Sequence, residues 1–158
     1  MALNVLFVCT GNSCRSPMAE GILRSRVPLE FAGEIVASSA GTAMLDGLLA
    51  ATHAVNVMSE HGIDITPHRS RSLSRDVAAE ADLILAMTAL HVGEIRAKAP
   101  EARQKTHLLS EFADGSWRDV PDPIGGPRED YEKVYEMLSE MIVEAFPRIV
   151  ALAKERRS

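Results

Sequence analysis

The sequence predicts an α/β fold, a three-layer sandwich in which a four-stranded parallel sheet is flanked by helices. Three observations predict it. The runs Leu3–Val8 and Asp82–Met87 are almost continuously apolar, as strands covered on both faces are, rather than alternating. Segments with helical spacing separate these runs, which implies βα units. Glycines and prolines fall at the joints between them.

The first strand, Leu3–Val8, ends at Cys9, and Gly11 and Asn12 follow, residue types that tolerate left-handed backbone in a tight loop. Ser16 and Pro17 supply a helix start, with Ser16 as N-cap and Pro17 at the first helical position. Met18, Ile22 and Leu23 then give a helix over 17–27 with one face on the sheet, and Pro28 ends it. A second strand is expected at 34–38, running into the turn Ser39-Ala40-Gly41-Thr42. A helix over 52–61 stops at Gly62, and His68 falls in a basic loop with Arg69 and Arg71. A polar helix at 74–80 leads to the third strand at 82–87. A helix over 90–98 and a fourth strand near 106–109 follow. From Arg128, the residues Val134, Leu138, Met141, Ile142, Ala145, Ile149 and Leu152 repeat at helical spacing. Pro147 is expected to kink or end that helix, and 154–158 to fray as a basic tail.

Two stretches carry chemistry. At the end of the first strand, Cys9 faces loop N–H groups and the positive end of a helix, with Arg15 across the loop: an oxyanion cradle with a thiol at its base. A free thiol, with a pKa of about 8.5, is a poor nucleophile at neutral pH; amides, a helix N-terminus and a guanidinium all favour thiolate. Arg15 offers a planar fork that matches two phosphoryl oxygens, and Ser16 can donate to the sulfur. The parts suit in-line attack on phosphorus and a cysteinyl-phosphate intermediate. A nucleotide-type phosphate loop needs a second glycine followed by Lys-Ser/Thr, which this stretch lacks. The second stretch, 119–127, is dense in Asp, Pro and Gly and reads as a stiffened loop. A departing oxygen or nitrogen needs a proton, and Asp122, bracketed by Pro121 and Pro123, is the candidate acid, with Asp119 as its rival.

Composition narrows the classes. The 158 residues, 46% hydrophobic, fit one domain spanning 1–158. A net charge of −5 argues against nucleic acid or an anionic membrane as partner, and no apolar stretch approaches a membrane span. Two cysteines and no secretion signal suggest a reducing cytoplasm. The five histidines form no His-x3-His or His-x4-His pair, so neither metal nor other cofactor is expected. Cys14 is open to two roles, a reversible disulfide with Cys9 or simple filling. The oligomeric state is not legible.

The run Cys9-Thr10-Gly11-Asn12-Ser13-Cys14-Arg15-Ser16-Pro17-Met18-Ala19-Glu20 resembles the signature of the low-molecular-weight protein tyrosine phosphatase family, which includes bacterial members acting on phosphoarginine. The resemblance extends over nearly the whole chain. It implies Cys9 as nucleophile, Arg15 as phosphate clamp, Asp122 as general acid and then base, and residues 10–14 and 16 as the phosphate-binding loop. It also implies Ser39 hydrogen-bonded to Asn12 and His68 supporting the loop from behind, with phosphorylated proteins as substrates. Members specific for phosphotyrosine carry an aromatic in the segment matching 44–49 and others after the Asp-Pro pair. Here stand Met44, Leu45 and Leu48, then Ile124-Gly125-Gly126, in a chain only 4% aromatic. Phosphoarginine phosphatases of the family have a similar Asp-Pro-x-Gly-Gly run and a small hydroxyl residue where Ser13 stands. The cleft is therefore expected to suit a non-aromatic phosphorylated side chain, phosphoarginine slightly ahead of phosphotyrosine. Two other readings are weaker. Arsenate reductases sharing this loop use further cysteines, and none follows Cys14. A silent oxyanion-binding module would turn over nothing.

Overall fold

The computed structural model describes residues 1–43 and 45–157. Four parallel strands, β1 (Leu3–Cys9), β2 (Ile35–Gly41), β3 (Leu83–Ala86) and β4 (Thr106–Leu108), form one sheet in the order β2-β1-β3-β4. The helices are α1 (Arg15–Arg26), α2 (Thr52–Glu60), α3 (Arg75–Glu80), α4 (Ala89–Lys98), α5 (Leu109–Asp114) and α6 (Arg128–Glu155). This is the expected α/β sandwich. Because successive side chains point to opposite faces, β1 feeds two cores. Leu3, Val5, Phe7 and Cys9 face a cluster with α1, α2, α5 and α6, while Leu6 and Val8 face one with α3 and α4. Both faces are covered, which is why the run is almost continuously apolar. Phe7, Val5 and Val8 are fully buried, worth about 1.5–3 kcal/mol each for the larger side chains.

The chain leaves β2, passes over β1 and returns as β3, so the winding direction reverses at the β1/β3 pair. Parallel sheets place their ligand sites outside the carboxyl ends at such a switch point. Cys9 stands there, paired in register with Gly41 of β2. Gly41 is a requirement of contact: a Cβ at that position would come within 2.5 Å of the Thr10 carbonyl oxygen.

Three local expectations are corrected. Ser16 does not cap α1: the helix begins at Arg15, its N-cap is Cys14 without a side-chain bond, and Ser16 is drawn inward to Cys9. Pro147 does not stop α6, which runs on to Glu155. The C-terminal stretch is not a free tail: Lys154 and Glu155 are helical, Arg156 bonds the Ala2 carbonyl and pairs with Asp82, and Arg157 pairs with Glu34 over the Phe31 ring. Ser158 lies outside the described residues. Among the described residues, no helix is long and apolar enough to cross a membrane.

Candidate active site

The loop from Cys9 to Ser16 is shaped by Asn12. That residue is fully buried and is the one non-glycine with positive φ (54°) among the described residues. Asparagine visits this region more readily than most residues, at a cost that surrounding contacts must offset. Those contacts are all present. The Arg71 main-chain N–H donates to Asn12 Oδ1 (2.9 Å), which fixes the amide orientation. Asn12 Nδ2 then donates to Ser16 Oγ (2.8 Å) and Ser39 Oγ (3.0 Å), and Ser39 donates onward to Glu20 Oε1 (2.6 Å). His68 Nε2 donates to the Asn12 carbonyl (2.7 Å). Ser39 and His68 both hydrogen-bond to Asn12 directly.

Proton directions follow from this network. Ser16 Oγ accepts from Asn12, so its own proton is free for Cys9 Sγ, 2.9 Å away. The sulfur receives a hydroxyl donor that is itself polarised from behind. Cys9 is 2% exposed, at the base of the loop.

Arg15 is 5% exposed, an expensive place for a permanent charge unless it has work to do. Its Nη1 donates to the Val120 carbonyl (3.1 Å), and Nη2 lies 3.6 Å from Asp122 Oδ2. The loop bearing Asp122 is tied to β3 through Val120 N–H and the Met87 carbonyl (2.9 Å). Asp119 and Asp122 separate here. Asp119 Oδ1 accepts from the Ala89 N–H at the start of α4 (2.9 Å), a structural duty. The Asp122 side chain is 46% exposed, with Oδ1 steadied by the Ile124 N–H (3.1 Å) and Oδ2 open toward the cleft beside Arg15.

Cys14 is buried but turned elsewhere: its thiol lies 3.8 Å from the Tyr131 hydroxyl and 3.7 Å from Ser13 Oγ. Burial pushes the Cys14 thiol up, with its two hydrogen bonds opposing. Tyr131 is pushed up to about 12 by burial and by Cys14. Both cysteines are free thiols. Ser13 is half-buried in the loop, and Leu45, Leu48 and Ile124, expected on the cleft walls, are exposed. Met44, expected on the same wall, lies outside the described residues. Among the described residues, no three His, Cys, Asp or Glu side chains converge to hold a metal ion.

One contact escaped sequence reading. His91, on the first turn of α4, places Nε2 2.8 Å from Thr10 Oγ1, across 81 residues of chain. Thr88 as N-cap, followed three residues on by His91, was a local signal for the helix start, but nothing local pointed to Thr10. His91 is held at about 4, chiefly by burial and then by the positive charge of Arg15, against the opposing pull of Asp119 and Asp122. Its depressed basicity sets a sign for stability. Below about pH 6.5 the unfolded chain binds a proton that the folded chain refuses until about pH 4, so stability falls as pH drops through that window. About 2 kcal/mol should be lost between pH 7 and pH 5 from this residue alone. His107 is lowered too, again mainly by burial, and adds loss of the same sign. Urea melts of wild type and His91→Gln at both pH values check this; the variant should show a clearly shallower pH dependence. Equal slopes would refute it.

Taken together, the loop is shaped to hold a tetrahedral oxyanion against sulfur, with the Asp122 carboxyl group beside Arg15. That is the work of a cysteine-dependent phosphatase. Known proteins point the same way. The family model described as "Low molecular weight phosphotyrosine protein phosphatase" matches residues 4–158, and the chain belongs to that family. A protein-arginine-phosphatase from Geobacillus stearothermophilus is 39% identical over 142 residues, covering 90% of this chain and 93% of that protein. The low molecular weight protein-tyrosine-phosphatase Etp of Escherichia coli K12 is 36% identical over 146 residues, covering 92% of this chain and 94% of its own. The crystal structure of a low molecular weight protein tyrosine phosphatase from T. tengcongensis superposes with a TM-score of 0.86 at 42% identity, covering 93% of this chain and 99% of that one.

Proposed function

We propose that this phosphatase hydrolyses phosphorylated protein side chains in the cytoplasm through a covalent phosphate on Cys9. In the first step the Cys9 thiolate attacks phosphorus and the bond from phosphorus to the leaving oxygen or nitrogen breaks. Asp122 gives its proton to that leaving atom. In the second step water attacks the same phosphorus, its proton passes to the Asp122 carboxylate, and the S–P bond breaks to return thiolate and inorganic phosphate. Arg15 and the amides of residues 10–15 stabilise the charge on the equatorial oxygens in both steps. Ser16 stabilises the sulfur whenever it is anionic. The observation that supports these roles most directly is the pinned pair Arg15 and Cys9: a guanidinium 5% exposed, held by Val120, around the same loop in which Ser16 sits 2.9 Å from the sulfur.

As substrate we favour phosphoarginine over phosphotyrosine. The segments that the resemblance matches to the cleft walls carry the exposed aliphatic side chains Leu45, Leu48 and Ile124 where phosphotyrosine-specific members carry aromatics. Ser13 beside the reacting group supplies a hydroxyl, which suits a guanidinium or an ordered water. Relatives named for tyrosine and for arginine are similar to this chain by nearly equal margins, so the walls carry the preference. The test is kcat/KM on matched phosphoarginine and phosphotyrosine peptides, in wild type and Ser13→Ile. Wild type should favour phosphoarginine, and the isoleucine should move the ratio toward phosphotyrosine by about tenfold, the low end of what one apolar contact is worth. A wild type that favours phosphotyrosine, or a ratio unmoved by the substitution, would overturn the preference and leave the chemistry at Cys9 standing.

A further inference from the structure

His91 takes no part in the two steps above, yet it is 1% exposed and touches the catalytic loop. The corner where it sits, 87–91, also holds the acid loop, through the Met87 carbonyl to Val120 and the Ala89 N–H to Asp119. Its ring lies between two hydroxyls. Thr88 Oγ1 is 2.9 Å from Nδ1 and Thr10 Oγ1 is 2.8 Å from Nε2.

One arrangement of the hydrogens satisfies all three contacts of this corner and leaves a donor over. A neutral imidazole has one N–H and one acceptor nitrogen. Thr88 Oγ1 already accepts the His91 main-chain N–H (3.2 Å), so its proton is free to go to Nδ1. In that arrangement the ring proton sits on Nε2 and is given to Thr10 Oγ1. Thr10's own proton then has no acceptor behind it. Thr10 is exposed and directly follows Cys9. A donor left over at the rim of an anion cradle finds its best acceptor in the anion.

We infer that the Thr10 hydroxyl donates a hydrogen bond to an oxygen of the bound phosphoryl group, and that His91, itself held by Thr88, is the positioning residue that aims it. The inference rests on the Cys9–Ser16 loop being the phosphate site, and a wild type that does not bind phosphate would remove that foundation in a distinguishable way. The probe is inorganic phosphate, measured as a competitive inhibitor of p-nitrophenyl phosphate hydrolysis. One hydrogen bond to a charged group predicts that Thr10→Val weakens phosphate inhibition by about tenfold or more. Thr10→Ser, which keeps the hydroxyl, should stay within about threefold of wild type, a rescue that a purely steric role would not give.

His91→Ala should match Thr10→Val, and the double variant should be no worse than either alone, because both remove one interaction. His91→Gln, whose amide can donate to Thr10, should recover part of the loss, so the proposal stays testable if the alanine variant folds poorly. Thr10→Val within twofold of wild type, an inert His91→Ala, or factors that multiply in the double variant would overturn it.

Discussion

Cys9→Ser should abolish turnover of p-nitrophenyl phosphate, lowering kcat by about 10⁴-fold or more, while the protein stays folded and still binds phosphate. The magnitude is that of removing a covalent nucleophile, where residual rate comes only from the remaining binding groups. A serine hydroxyl is a far weaker nucleophile at neutral pH, and the loop holds no base next to it: the nearest side chain, Ser16 at 2.9 Å, is a donor toward that position. Binding survives because Arg15 and the loop amides are positioned by Val120 and Asn12 rather than by the sulfur. The control is Cys14→Ser in the same loop. That thiol is turned toward Tyr131 and burial keeps it protonated, so its loss should leave kcat within about tenfold and cost stability instead. Steady-state kinetics with calorimetric phosphate binding separates the two. Residual activity within tenfold of wild type in Cys9→Ser would end the cysteinyl-phosphate mechanism.

How much of this was legible beforehand depended on whether the cause was local. The two central strands were, because covering on both faces leaves an apolar run in the sequence, and the loop was, because Cys9, Gly11, Asn12, Arg15 and Ser16 fall within eight residues. Helix α5 was missed: six residues are too few to show a period. Pro147 misled because its rule concerns an isolated helix. It lies on the exposed face of α6, while Ile142, Ala145, Ile149 and Ala153 pack on the other side and hold the helix to the core. Ser16 misled for a different reason: its hydroxyl, a good cap in general, is taken by the sulfur and Asn12. Arg156 and Arg157 find Asp82 and Glu34, and His91 finds Thr10, across distances where no sequence period reaches. Asp122 was preferred to Asp119 in the sequence, but the contact that occupies Asp119 was not legible, since its partner is the distant Ala89 N–H.

Asp122→Asn should lower kcat by about 10²–10⁴-fold on substrates whose leaving atom must be protonated, the usual contribution of a positioned acid. The size should follow the leaving group. A nitrophenolate departs with little help, so the loss on p-nitrophenyl phosphate should be smaller than on a phosphoarginine or phosphotyrosine peptide. Asparagine keeps the shape and can still accept from the Ile124 N–H, so the loop should hold its place. The substitution also removes the negative charge 3.6 Å from Arg15, freeing that guanidinium for phosphate, so KM should stay level or fall while kcat drops. Such a split marks a group that acts in the transition state rather than in binding. Asp119→Asn supplies the contrast. Its carboxylate is spent on the first turn of α4, so it should cost about 1 kcal/mol of stability with a modest change in kcat. If Asp122→Asn slowed all leaving groups equally, or if Asp119→Asn gave the larger, leaving-group-dependent loss, the proton would have to come from elsewhere.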